Sequence, residues 1–385
     1  MRSAFSLRDN LRRLLLRPDG NLGAVDGVRA WSILWVVLMH AAMKPGIQFA
    51  PGPLAPLLHS FSRGYLGVSM FFVLSGFLIA RLLLRQLVAT GPLHLRDFYR
   101  RRALRILPAY YLVLILYCAI EGSPCGTVWA NLLFINNFIP WRSQCMSWSW
   151  SLAIEEQFYL LFPLGLLLLF RLRRGRAAVL LIAIAATSLI RGWIIWRHGW
   201  HLLDIDYTDD GVADALYTKP YTRAGELLCG VLLAYRLQSG VRRFHPIALL
   251  VALFYIILFG CQPLPLHSEV WPAPVRLLHL AIFNNLFAAA VAYLLGYALE
   301  SRNLFHRFAA ARFWYPIGQL SYSTYLLHLI ILRQLIVQGL APQAIASPLQ
   351  LVGWCLLLLT LSIIAATALF LMIERPLMNL GARPE

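Results

Sequence analysis

Charge is scarce in this chain. Asp, Glu, Lys and Arg together make up 13% of 385 residues, about half the share usual in a soluble globular domain. Hydrophobic residues reach 59%, and no long polar stretch separates the apolar runs between residues 25 and 372. A soluble enzyme carrying one anchor is therefore excluded, and an integral-membrane protein is implied. The six cysteines form no CxxC, which removes the usual zinc and redox motifs. Glycine-rich phosphate loops, HExxH and GxSxG are also missing, as is any internal repeat.

Negative charge is the scarcer sign, with 17 Asp and Glu against 34 Lys and Arg. The distribution of the excess decides what it means. Apolar runs predict spans at about 25–43, 65–84, 104–120, 152–170, 177–196, 221–237, 246–260, 276–299, 314–337 and 350–372. With a cytoplasmic N-terminus, 24 of the 34 basic residues fall in inner segments, among them Arg2, Arg242, Arg302 and Arg383. The outer segments hold few, such as Lys44 and Arg142. This is the positive-inside bias, and it accounts for the net charge of +17 without a nucleic-acid partner.

The apolar "TVWANLLFINNF" at 127–138 is too short to cross. It is expected to be re-entrant or interfacial, giving ten spans with both termini in the cytoplasm. The reading is an all-α, polytopic membrane bundle with three parts. Residues 1–20 form a basic amphipathic segment and not a signal peptide, 21–376 a single transmembrane domain, and 377–385 a short cytoplasmic tail. Cys125 and Cys145 bracket the short apolar segment and could form a disulfide or stay unpaired.

What is present is a set of ionisable groups inside or bordering spans, where they are costly and usually face a cavity. In "VDGVRAWSILWVVLMH" (25–40), Arg29 and His40 are 11 residues apart. That places them on one helical stripe, roughly 16 Å apart along the axis. Asp26, one turn before Arg29, could pair with it. Ser75 and Gly76 sit mid-span, where small residues allow close approach of a neighbouring helix or of a ligand. Arg101, Arg102 and Arg105 cluster at the inner mouth of the third span, either setting topology or holding phosphates. Ser151, Glu155, Tyr159 and Phe162 share one face of the fourth span. Arg223 and Glu226 suit an intrahelical ion pair. Ser321, Tyr325 and His328 share a face, although His328 could simply be a hydrogen-bonded bundle histidine. The loop with Asp204, Asp206, Asp209, Asp210 and Asp214 beside Trp196 and Trp200 suits either a carbohydrate surface or plain solvation.

Seven stretches in order resemble the acyltransferase 3 family of membrane-bound bacterial acyltransferases. They are "DGVRAWSILWVVLMH", "GVSMFFVLSGFLI", "FYRRRALRILPAYY", "WSLAIEEQFYLLFP", "YTRAGELLCGVLLAY", "LSYSTYLLHLII" and the terminal "IERP". The resemblance implies transfer of an acyl group, usually acetyl, from cytoplasmic acyl-CoA to a hydroxyl of a surface carbohydrate or lipid-linked glycan. The location would be the inner membrane, with no metal required. His40 would be the base, Arg29 its partner and Glu155 part of the polar site. Arg101, Arg102 and Arg105 would take the CoA phosphates, with Ser75 and Gly76 close to the donor. Trp150, Tyr159, Tyr325 and His328 are expected to face the acceptor. "SWSWSL" departs from a single Trp-Ser-Leu, so Trp150 is taken as the anchor. The chain ends about 10 residues past its last span, without the esterase-like domain of some relatives. Transfer is therefore expected within the bundle or by hand-over to a partner.

The chemistry suits these groups. A hydroxyl is a poor nucleophile, and an imidazole, with an ordinary pKa near ~6.5, is a suitable base. The thioester is already activated, so positioning and proton removal are the main requirements. The alternative from another class is a transporter or flippase for a lipid-linked sugar or envelope lipid, which intramembrane Arg, Glu and His would also serve. The absent repeat and the lack of paired broken helices count against it.

Overall fold

A computed structural model of the chain describes residues 5–18, 22–42, 60–121, 125–202, 209–241, 243–261, 271–300, 303–342, 345 and 347–381. Arg2, Lys44, Asp204, Asp206, Arg242, Arg302 and Arg383 lie outside the described residues. The described chain is helical, with no strand among its elements. Helices satisfy their own backbone groups, which is what an apolar environment demands.

The elements run α1 (Leu7–Leu15), α2 (Gly23–Ala42), α3 (Leu66–Thr90), α4 (Leu95–Glu121) and the short α5 (Val128–Leu132). They continue with α6 (Trp150–Arg171), α7 (Arg176–Arg197), α8 (Pro220–Gln238), α9 (Pro246–Cys261) and α10 (Ala273–Glu300). The last are α11 (Leu304–Ala309), α12 (Trp314–Val337), α13 (Pro348–Leu369), a π-helical turn at Phe370–Glu374, and α14 (Arg375–Gly381). Each of the ten expected spans is a helix. Eight are long and apolar enough to cross a membrane. The other two differ for identifiable reasons. The α8 helix carries Arg223, Glu226 and Arg236, and α9 has only 16 residues.

The bundle is tightest where α3 meets α8. A Cβ on Gly76 would collide with the Leu227 carbonyl, and one on Gly230 with the Val73 carbonyl. Glycine on both helices lets the two backbones touch. Of the two uses open to Gly76, helix packing is the one this contact displays.

Residues 127–138 do not form a through-helix. After α5 the chain reverses at Phe134, which adopts φ +54°, and continues as a short turn at Asn136–Phe138. Buried polar side chains tie this segment to the bundle. Asn131 Nδ2 donates to Ser149 Oγ at 3.0 Å, Gln157 Nε2 to Asn137 Oδ1 at 2.9 Å, and Lys219 Nζ to the Asn137 carbonyl at 2.6 Å. Cys125 and Cys145 are joined by a disulfide that closes the loop around α5.

The N-terminal helix α1 is amphipathic. Leu7, Leu11 and Leu15 are exposed along one stripe, while Leu14 packs on α12 and the α13–α14 junction. Its docking is polar as well: Arg13 Nη1 donates to Asn379 Oδ1 at 2.9 Å, and Arg17 Nη1 to the Ala310 carbonyl at 2.6 Å.

Candidate active site

Five helices, α2, α3, α4, α6 and α12, line an opening with about 770 Å³ of space, part of which is open to solvent. Its polar wall is built from helical spacings legible one by one. The α6 helix contributes Ser151, Glu155 and Tyr159, at intervals of four, together with Glu156. Arg102 and Arg105 come from α4, three residues apart, and Ser321, Tyr322 and Tyr325 from α12. Arg29 of α2 and Ser75 of α3 complete it, and Phe71, Leu74 and Ile106 supply part of the apolar lining.

The charges in this opening are only partly matched. Three guanidinium groups face two carboxylates. None of Arg29, Arg102 and Arg105 takes part in the ion pairs within 4.0 Å found among the described residues. Asp26, one turn from Arg29, pairs instead with Arg17 at 3.3 Å and accepts from Gln319 at 3.4 Å. Arg29 lines the cavity, with Asp26 still its electrostatic neighbour one turn away. Arg102 sits over the Tyr159 ring at 4.5 Å, and the Tyr159 hydroxyl donates to Glu155 Oε2 at 2.6 Å. A half-buried set of cations with no carboxylate within 4.0 Å among the described residues suits an anion, because guanidinium groups offer planar, paired donors.

At the far end of the opening, Tyr325 makes two short contacts. Its hydroxyl lies 2.6 Å from Ser151 Oγ and donates to the Trp148 carbonyl at 2.5 Å. One turn on, His328 is fully buried and does not line the opening. Its ring lies 4.9 Å from that of His40, centroid to centroid. His328 Nε2 is 3.2 Å from His40 Nδ1, which is also 2.9 Å from the Val36 carbonyl. The α2 helix runs unbroken from Gly23 to Ala42. One rigid rod therefore carries Arg29 in the cavity and His40 about three turns beyond it.

The expected residues thus separate. Arg29, Ser75, Arg102, Arg105, Glu155, Tyr159 and Tyr325 share the opening, and His40 and His328 form a pair next to it. Arg101 is exposed and lies outside it, and Gly76 is used in packing. Trp150 is buried against Phe72 and Tyr217, with the Arg223 guanidinium 5.4 Å from its ring. Of the loop acids, Asp209 caps the turn at Gly211 and Val212, Asp210 pairs with Arg142, and Asp214 accepts from the Trp141 N–H. Asp209 holds its own loop, and Asp210 and Asp214 tie that loop to the turn at Trp141–Ser143.

A family model described as "Acyltransferase domain" matches residues 22–370. The chain belongs to the acyltransferase 3 family. Among relatives, it is 28% identical over 287 residues to nose resistant to fluoxetine protein 6 of Caenorhabditis elegans, a match covering 62% of this chain and 35% of that protein. It is 26% identical over 432 residues to regulator of hypoxia-inducible factor 1 of the same organism, covering 99% of this chain and 84% of that protein. It is also 26% identical over 363 residues to the O-acetyltransferase OatA of Staphylococcus aureus, covering 83% of this chain and 53% of that protein. The chain therefore spans only about a third and a half of the first and third of these relatives. No solved structure matches.

Within this chain the seven stretches that carry the resemblance fall on α2, α3, α4, α6, α8, α12 and the α13–α14 junction. The last of them holds Glu374, which is buried and accepts from Ser323 Oγ at 2.7 Å. Glu156 and Tyr322 were not among the expected site residues. The signal for Glu156 was the adjacency of two glutamates in "IEEQF". Tyr322 carried none, since its hydroxyl donates to the Ile106 carbonyl of another helix at 2.8 Å.

Proposed function

We propose that this chain is a membrane O-acyltransferase that moves an acyl group, acetyl in the first instance, from cytoplasmic acyl-CoA to a hydroxyl of an extracytoplasmic carbohydrate or lipid-linked glycan. One observation carries the reading. A single helix, α2, joins an arginine-lined opening at Arg29 to the His40–His328 pair on the same stripe. An anionic donor held at one end and a base at the other describe one transfer path. The basic loops at the Arg29 end favour placing that end in the cytoplasm.

In this reading Arg102 and Arg105 bind the phosphates of CoA, and its thioester arm lies along the apolar wall of Phe71, Leu74 and Ile106. His40 takes the proton of the acceptor hydroxyl. The oxygen attacks the thioester carbonyl, the C–S bond breaks, and CoA leaves as its thiolate. Arg29 and the Tyr159–Glu155 pair keep the path polar without a bound metal.

Mass spectrometry of envelope glycans and lipids tests the reading. A strain lacking the gene is expected to lose O-acyl groups from one glycan or lipid class, and an unchanged envelope would reject it. For the donor end, Arg102→Glu is expected to raise the KM for acetyl-CoA by about tenfold or more, the worth of one charge-assisted contact. An unchanged KM would remove Arg102 from the donor site.

A further inference from the structure

We infer that His328 fixes the ring tautomer of His40, so that the base presents an unprotonated Nε2 to the acceptor hydroxyl. The inference rests on the reading of His40 as the base. It follows from where each ring proton must sit. His328 Nδ1 lies 2.7 Å from the Tyr325 carbonyl and 3.2 Å from the Thr324 carbonyl. Carbonyls only accept, so Nδ1 carries the proton and His328 Nε2 is left with its lone pair. That lone pair points at His40 Nδ1, 3.2 Å away. His40 Nδ1 is itself 2.9 Å from the Val36 carbonyl, a second acceptor. With two acceptors around it, His40 Nδ1 must be the protonated nitrogen. Nε2 then holds the free pair, and it makes no hydrogen bond among the described residues.

The arrangement is a chain of three, from the α12 backbone to His328 to His40. It resembles in logic the use of a second group to hold a catalytic imidazole in one tautomer. His328 is fully buried, so its orientation is set by the helix it belongs to. The contact also strengthens during reaction. When Nε2 takes the hydroxyl proton, His40 becomes an imidazolium and its Nδ1–H donates to His328 as a charge-assisted bond. An interaction that is stronger in the transition state than in the ground state acts on kcat. The Val36 carbonyl supplies part of the same restraint. The effect of losing His328 is accordingly that of a positioning residue, about 10–100-fold.

Two amides separate this role from a structural one. Asparagine at 328 can reach the Tyr325 carbonyl but not His40, whereas glutamine carries its oxygen one methylene further, to where His328 Nε2 sits. Membranes holding the full chain, equal amounts of each variant, radiolabelled acetyl-CoA and the membranes' own glycan lipids make the assay. His328→Asn is expected to lower kcat about 10–100-fold with the KM for acetyl-CoA unchanged, and His328→Gln to restore it to within about fivefold of the parent. Equal activity of the two amides, at any level, would overturn the inference, as would an effect confined to KM. His40→Ala in the same assay keeps the two ideas apart. If that variant still transfers label, the base assignment fails. If it is silent while Asn and Gln behave alike, only the role of His328 fails.

Discussion

His40→Ala is expected to abolish acyl transfer, with a fall of about 10²–10⁴ in turnover, while insertion and helix packing survive. General-base catalysis supplies that order of acceleration, because the acceptor hydroxyl is almost wholly protonated near neutral pH. The side chain is half-buried near the end of α2, and its hydrogen-bond partners among the described residues are the Val36 carbonyl one turn back and His328 on α12. Alanine there removes no ion pair among the described residues and leaves the α2 backbone bonds in place. The donor end should be untouched, since Arg29, Arg102 and Arg105 lie in the opening three turns away. Binding of acetyl-CoA to the purified variant, measured by calorimetry, is therefore expected to match the parent. Transfer retained at more than a few per cent would remove His40 from the chemistry. Loss of both binding and transfer would point to a structural role instead.

The same residues show what the sequence could carry. Helices were legible because a run of about 20 apolar residues is a strong and local signal. The faces of single helices were legible too. Arg102 and Arg105, three apart, line the opening together, while Arg101, rotated by about 100° on the same helix, faces away. Partners from distant helices were not legible. Asp26 looks like the mate of Arg29 by spacing, yet Arg17 arrives from the segment before α2 and takes it. His328 illustrates the other limit. Its spacing with Tyr325 put both on one face, but only the packing of α12 on α2 turns it towards His40 and leaves Tyr325 at the opening. Likewise, the span signal is weak in α8 because its charges count against it in sequence, whereas in the fold Arg223 and Glu226 neutralise each other out of contact with water.

Glu226→Ala is expected to produce the largest loss of stability, about 3–5 kcal/mol, by leaving a buried guanidinium without its carboxylate. Arg223 is 1% exposed and Glu226 0%. Arg223 Nε lies 2.9 Å from Oε1 and Nη2 donates to Oε2 at 3.2 Å, so both carboxylate oxygens are engaged. Asn284 Nδ2 adds a donor to Oε1 at 2.7 Å, and Arg223 also donates to Ser69 Oγ at 3.3 Å. Around the guanidinium stand the rings of Phe72, Trp150 and Tyr217, at 5.5, 5.4 and 5.0 Å. These rings attract the cation but cannot neutralise it. Removing the carboxylate strands the charge among them and leaves Asn284 unpaired as well. Trp150 opens α6, so the damage should extend to Ser151 and Glu155 in the opening. Replacing both partners with apolar residues of similar size, Arg223→Met with Glu226→Leu, removes the desolvated charge altogether and is expected to recover most of the loss. Thermal unfolding of the detergent-purified proteins reads the difference, with a fall of about 4–6 °C for the single variant. If the double variant melts as low as the single one, the pair is needed for its geometry and not for charge compensation. If the single variant melts with the parent, the buried pair contributes nothing to holding α3, α8 and α10 together.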